Sequence, residues 1–423
     1  MTTLTASMLL DPAVLQDPYD FYATLREQAP VWRVPGTDVV VISSFALLSE
    51  AVTRTEDFSS TMTCLLYRDS DGLPARLSFG DAATPTLAAA DPPVHTTHRR
   101  AVFPELVARR MRTLEDDIRA LSASNVAKAM RENNFDFMAT IGNVVPITVV
   151  AKLIGFRDIE PMQLLEAAFD STTMVGGTMS LDELNALVTR TGIIQAWITD
   201  QVMNVSDADD DGILLAVRRA LDAGILQMGE VTTILHTLLS AGGESTTSLL
   251  GNAVRMLAEN PALQQQLRAQ PELVDLFVEE VLRLESPFRQ MLRSVPRDTT
   301  LGGVDIPADS TVLLMFAAGN RDPAQFDNPD SVDLTRGSPK RHLAFGHGIH
   351  FCVGAALARI EARAVLQAVL EQTRDFALDA DRQPEWVDSL LVRRHQQLHV
   401  CATPLRGAGG SPTSPMPSSR QRV

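Results

Sequence analysis

Apolar residues in this chain recur mostly at helical spacing. The clearest run is Val231 to Ala258, with apolar positions at Val231, Ile234, Leu235, Leu238, Leu239, Leu249, Leu250, Ala253, Val254 and Leu257. That is a sustained helix face with bulk on the other faces too, so this helix is expected to be long and central. The whole stretch from about His95 to Leu257 reads as mainly helical. Asp17-Pro18 supplies an N-cap and a first-turn proline for a helix through about Gln28. Val31 to Ile42 is β-rich and broken by Pro35-Gly36-Thr37, which reads as two short strands and a turn. Thr61 to Ala90 shows no clear period and reads as a long loop, a feature often tied to function. A further helix is expected over Pro271 to Leu284. Short strands follow around Gly302 to Leu314, including Val304-Asp305-Ile306-Pro307. A helix from Val353 to about Thr373 and a last strand near Gln397 to Ala402 complete the pattern. The fold class is mainly α with small β-sheets (α+β).

The chain has 423 residues, 45% of them hydrophobic, which is ample for a large core. Length alone suggests two or three domains. A chain wrapped around one large cofactor would instead form a single domain. The expected layout is an N-terminal extension over 1–16, one domain over 17–405 and a tail over 406–423. That tail is rich in Gly, Ser and Pro and is expected to be disordered. The formal charge of −15 argues against a nucleic-acid partner. Cys64, Cys352 and Cys401 are odd in number and far apart, so no disulfide framework is implied and a cytoplasmic location is expected. The first residues carry neither a basic leader nor a long apolar run, and no integral membrane association is expected. The run DADDDG from Asp207 resembles the first half of a calcium loop. Its twelfth position is Arg218 where glutamate is needed, so a solvated turn is the better reading.

The most informative segment is Phe345-Gly346-His347-Gly348-Ile349-His350-Phe351-Cys352-Val353-Gly354. Two close glycines permit a tight loop with unusual backbone angles. Cys352 stands just before a helix, where free N–H groups and the positive helix end stabilise a thiolate. A haem iron held by such a sulfur has the electronic push that favours O–O cleavage. A buried structural cysteine, or a zinc site from His342, His347, His350 and Cys352, are the competing readings. The first leaves the glycines unexplained, and the second lacks a paired C-x-x-C or a second ligand cluster.

Ala241-Gly242-Gly243-Glu244-Ser245-Thr246-Thr247 breaks local rules inside the long helix. Each interior glycine costs about 1 kcal/mol relative to alanine, and the hydroxyls compete for backbone hydrogen bonds. Such a violation suggests a site. The glycines admit a close neighbour, and Glu244 with the hydroxyls offers a proton route. Tight helix packing would explain the glycines but not the acid.

The cysteine segment resembles the signature of the cytochrome P450 family, and every fixed position of that signature is met. The resemblance extends from about Asp17 to Ala402 and implies the cytochrome P450 fold, with haem b between the long helix and the helix after Cys352. It implies Cys352 as the axial iron ligand, with Phe345, Gly346 and Gly354 as further cofactor-binding residues. Glu280 and Arg283, three apart on a helix face, match the family's E-x-x-R pair, closed by a residue in the segment from Asn320 to Arg336. His95 and Arg99 share a helix face and, with Arg293 and His350, are similar to the family's donors to the haem propionates. Ala241 and Gly242 would face the haem, Glu244 would relay protons, and Ser245 would position water or dioxygen. The family usually has threonine at Ser245, so coupling of electrons to product is open to change, with Thr246 as a substitute.

The activity implied is insertion of one oxygen atom from O2 into a hydrophobic small molecule. The pocket would draw on Leu238, Phe288, Met291, Leu292 and Leu390, and on the Thr61–Ala90 and Leu164–Met179 stretches. Electrons would come from a ferredoxin and its reductase. Arg99, Arg100, Arg109, Arg110 and Arg112, with Lys340, Arg341 and Arg359, are candidates to dock the ferredoxin, or a solvated basic face. A peroxide-using, rearranging or sensing haem-thiolate protein is the second reading, and a cysteine or zinc hydrolase the third. The AGGEST run and the overall layout look most like an actinobacterial branch of the family with largely unassigned substrates.

Overall fold

The computed structural model describes residues 3–79, 84–106, 111, 113–206 and 212–405. The expected tail and the Asp207–Asp211 turn lie outside them. The long helix is Met228–Ala258, and its first turn carries a capping box in which Gln227 and Glu230 satisfy each other's backbone donors. Helices Val144–Ile154, Pro161–Val175 and Leu181–Asn204 pack along it, as do Val274–Leu284 and Ala355–Gln372. Leu235, Leu239, Leu249, Leu250, Val254 and Leu257 are each at most 1% exposed. A helix apolar on most faces can be stable only in the centre of such a bundle, because each fully buried side chain of this size contributes about 1.5–3 kcal/mol.

The main sheet joins distant segments. Val31–Arg33 pairs antiparallel with Val39–Ile42, which runs parallel to Thr311–Leu314, which pairs antiparallel with Met291–Ser294. Side chains alternate across a strand. Met291 and Arg293 therefore share one face and line a cavity, while Leu292 packs the other way, against the second core. That core also takes Leu9, Leu10 and Leu15. The segment expected as an N-terminal extension is thus folded in, through a short 3₁₀ turn at Ala6–Leu9 and a helix at Pro12–Gln16.

The Thr61–Ala90 stretch differs from the expected long loop. Cys64–Arg68 and Pro74–Ser78 form an antiparallel hairpin. Its turn is built by Asp69, whose carboxylate accepts from the N–H groups of Asp71 and Leu73, with Gly72 at a φ of 78° that favours glycine. The remaining expected elements are present: Tyr19–Gln28, Val274–Leu284, the strands Thr299–Leu301, Val304–Ile306 and Thr311–Leu314, helix Ala355–Gln372 and strand His399–Pro404.

Candidate functional site

A cavity opens between the cysteine loop and the long helix. Gly346 and Gly348 both take positive φ, 66° and 69°, which lets the loop fold flat. The Cys352 N–H donates to Phe345 O at 2.9 Å. The helix proper starts at Ala355, two residues later than the sequence suggests, so Val353 and Gly354 form a turn. Burial raises the thiol pKa, and the N–H groups of Gly354 and Ala355, with Arg359 and Arg99, pull against that. A Cβ on Gly354 would sit 3.9 Å from the Cys352 sulfur.

The loop is braced from behind. Glu279 accepts from Arg359 at 2.6 and 2.9 Å and bonds His342 at 3.0 Å. Burial opposes ionisation of Glu279, but these two partners hold its pKa down at about 2. The Arg359 guanidinium lies 4.5 Å from the Phe345 ring centre. Glu280 and Arg283 are almost wholly buried and joined by two bonds of 2.8 and 2.9 Å. Arg336 closes the expected pair at 3.0 Å from Glu280, and Arg283 also donates to the carbonyls of Asn320, Pro329 and Ser331.

Basic side chains gather at one edge of the cavity. His95, Arg99, Arg293 and His350 all line it. The rings of His95 and His350 lie 4.4 Å apart. Burial and the neighbouring Arg293 press the His350 pKa down to about 4, and burial lowers His95 as well. Arg99 donates to the carbonyls of Ile349 and Phe351, at 3.2 and 3.0 Å. Arg293 is 8% exposed, with no carboxylate among the described residues at ion-pair distance. His350 Nε2 is buried without a hydrogen-bond partner among the described residues.

The long helix presents Leu238, Ala241, Gly242, Ser245 and Thr246 to the cavity. Ser245 Oγ donates back to Ala241 O at 2.6 Å. The glycines answer mainly to packing. A Cβ on Gly242 would meet Val150 Cγ2 at 2.7 Å, and one on Gly243 would meet Ile147 Cδ1 at 3.1 Å. Glu244 does not line the cavity. It turns to Arg394 Nε at 2.8 Å, Thr172 Oγ1 at 3.1 Å and Ser248. Burial raises its pKa, and Arg394 opposes the shift.

Phe288 and Met291 also line the cavity. Leu292 and Leu390 do not: both belong to the second core. The Leu164–Met179 stretch contributes no lining residue, whereas Leu87 and Ala88 of the Thr61–Ala90 stretch do. Sequence reasoning missed Val150, Ile154, Ile213, Thr237 and Glu361. Glu361 is 1% exposed, has one oxygen without a partner among the described residues, and is pushed well above the ordinary carboxyl range by burial. An acid on the apolar face of the Ala355–Gln372 helix was the available signal. Lys340 and Arg341 are exposed near the loop, Arg359 is engaged by Glu279, and Arg109, Arg110 and Arg112 lie outside the described residues.

A sulfur at a helix start, facing a long helix across an apolar cavity with cations on one edge, is the arrangement of a haem-thiolate oxidoreductase. The profile of the family described as Cytochrome P450 matches residues 147–402. Cytochrome P450 144 of Mycobacterium tuberculosis is 38% identical, over 91% of this chain and 89% of its own length. The erythromycin C-12 hydroxylase of Saccharopolyspora erythraea is 32% identical, over 92% of this chain and 96% of its own. The solved structure of CYP109Q5 from Chondromyces apiculatus is 29% identical, with a TM-score of 0.80, and covers 94% of this chain and 98% of its own. The chain belongs to the cytochrome P450 family, and it is an oxidoreductase of the monooxygenase kind. No helix among the described residues is long and apolar enough to cross a membrane.

Proposed function

We propose that the chain inserts one oxygen atom of O2 into an apolar small molecule, with haem b held by Cys352 and electrons delivered by a ferredoxin and its reductase. The observation that carries this reading is the pairing of Cys352 with an edge of two arginines and two histidines around one cavity, where Arg293 has no carboxylate partner and His350 Nε2 no hydrogen-bond partner among the described residues. A planar cofactor with two carboxylates fits that edge: the buried Arg293 guanidinium has only the Leu292 carbonyl and no carboxylate among the described residues, and His350 Nε2 has no partner among them, so a propionate would supply what both lack. Haem, when bound, supplies the redox chemistry and the activation of dioxygen.

The protein's own contribution is confinement and proton control. Leu238, Phe288 and Met291, with Leu87, Ile154 and Ile213, give the cavity an apolar wall, which favours an apolar substrate. Thr237, Ser245 and Thr246 place hydroxyls at that wall. Glu244 holds a proton-exchanging carboxyl one residue from Ser245 but on another side of the helix. Proton delivery therefore needs the Glu244 side chain to leave Arg394, or a water chain through Thr172 and Ser248. Arg99 and Arg100, next to exposed Phe103, Ile349 and Phe351, offer a cationic and apolar face for an acidic electron donor.

The test is optical titration of the ferric protein with an apolar compound library, followed by product analysis of the hits. The expected result is a spin-state shift with a set of apolar ligands, and oxygenated product that depends on ferredoxin and reductase. Product formed with peroxide alone, and none with the electron-transfer proteins, would favour the peroxide-using reading.

A further inference from the structure

Helix Val94–Val102 carries a second histidine on its buried side, His98, which is 1% exposed. Its ring sits between two partners. Nδ1 is 3.2 Å from the backbone N of Leu87, and Nε2 is 3.0 Å from Glu230 Oε1. The Leu87 group is an N–H, so Nδ1 must be the acceptor. That leaves the ring proton on Nε2, where it is donated to the carboxylate. One neutral tautomer satisfies both contacts.

One partner, Leu87, lines the cavity, and the other, Glu230, anchors the start of the helix that forms the facing wall. Glu230 belongs to the first turn of the long helix, and its other oxygen accepts from the Gln227 N–H at 2.8 Å in the capping box. Leu87 opens a single 3₁₀ turn, Leu87–Ala89, where a first-turn N–H has no acceptor within the turn. Its φ is +37°, a region that non-glycine residues seldom adopt unless the surroundings impose it. Leu87 and Ala88 line the cavity, and so do Thr237, Leu238 and Ala241 of the long helix. One imidazole thus ties a strained turn on one wall to the helix that forms the other.

We propose that His98 is a positioning residue for substrate, a clasp that holds the Leu87–Ala89 turn against the long helix and so sets the shape of the cavity. The proposal rests on the reading of this cavity as the substrate chamber. A glutamine can accept and donate through one amide and should replace the ring, whereas leucine can do neither, and asparagine is too short to reach both partners.

The experiment uses the full-length protein with haem supplied, as wild type, His98→Gln, His98→Leu and His98→Asn. Two quantities are read. One is hydrogen exchange of the peptide containing Leu87, without ligand. The other is optical titration with imidazole, which is too small to reach the wall, and with 4-phenylimidazole, which reaches further. In His98→Leu the Leu87 amide should exchange about tenfold faster or more. The ratio of 4-phenylimidazole to imidazole affinity should change several-fold, while the spectrum of the reduced carbon-monoxide complex stays as in wild type. His98→Gln should match wild type in both readouts, and His98→Asn should follow His98→Leu, serving as the decisive variant where leucine prevents folding. Wild-type exchange and an unchanged ratio in the leucine or asparagine variants would overturn the clasp. So would a glutamine variant as disturbed as leucine, since that would mark a role in packing volume alone. A wild-type protein that responds optically to neither azole would defeat the haem reading instead, and the exchange data would still decide the clasp.

Discussion

The backbone of Cys352 itself is held by near neighbours, with Glu279 and Arg99 bracing its loop from farther off, whereas the buried polar groups of the long helix depend on residues far away in the chain. Cys352 takes its backbone contacts from Phe345, Gly354 and Ala355. Glu244 takes its partners from Thr172 and Arg394, 72 and 150 positions away, and Glu230 meets His98 across 132. The first wall is a fixed cradle stiffened by buried ion pairs. The second is assembled only when several elements have docked, and each contact there can be released by moving one of them. A sulfur set by its own loop thus faces a wall whose polar groups are set by several distant elements.

The largest effect should come from the foundation under the cysteine side. Arg283→Ala leaves Glu280 buried with fewer partners and removes the arginine from the carbonyls of Asn320, Pro329 and Ser331, the last of which keeps Arg336. Stability in denaturant titration should fall by about 3–5 kcal/mol. A loss within error of zero would mean that this cluster is not what stiffens the cradle.

Next is Glu279, whose pKa lies near 2 against an ordinary value of 4.5. A carboxylate with a lowered folded-state pKa contributes stability that is complete above about pH 4.5 and disappears as pH falls towards 2. The contribution is roughly 3 kcal/mol. The stability gap between wild type and Glu279→Gln should therefore be wide at pH 6 and narrow steadily below pH 4.5. A gap independent of pH over that interval would remove the ionic brace from the account.

On the opposite wall, Glu244→Gln should retain haem and lower turnover by on the order of a hundredfold, with a larger solvent isotope effect. Arg394→Gln should slow turnover less, because the acid remains and loses only its partner. Unchanged turnover in Glu244→Gln would take that residue out of the proton route. The smallest effect is expected for Gly242→Ala. Its new methyl would meet Val150 at 2.7 Å, costing about 1–3 kcal/mol of stability in thermal unfolding. Val150→Ala in the same protein should restore most of that loss, and absence of rescue would point to a role for Gly242 towards the cavity instead.

The same contrast governs how much could be read in advance. The cysteine loop was legible because its function is written in consecutive residues, and Glu280 with Arg283 because a helix turn brings them together. The long helix was legible from its period. Asp69 to Gly72 carried a turn signal inside the Thr61–Ala90 stretch, but strands of five residues with mixed polarity gave too little alternation to outweigh the surrounding Gly, Pro and Thr. The direction of Glu244 and its pairing with Arg394 were not legible, since nothing local marks which of many arginines will arrive. The resemblance put Leu292 in the pocket beside Met291, and strand alternation sends it the other way. Gly242 and Gly243 stood out in the sequence, and the neighbour they admit is another helix.

The central claim is a bond between the Cys352 sulfur and a haem iron. It is tested most directly by the absorption spectrum of the reduced, carbon-monoxide-bound protein, comparing wild type with Cys352→His. Wild type should show the long-wavelength band of thiolate ligation, and the variant should show an imidazole-type spectrum in its place. A wild-type protein that stays colourless with ample haem, or a variant that keeps the thiolate band, would contradict it.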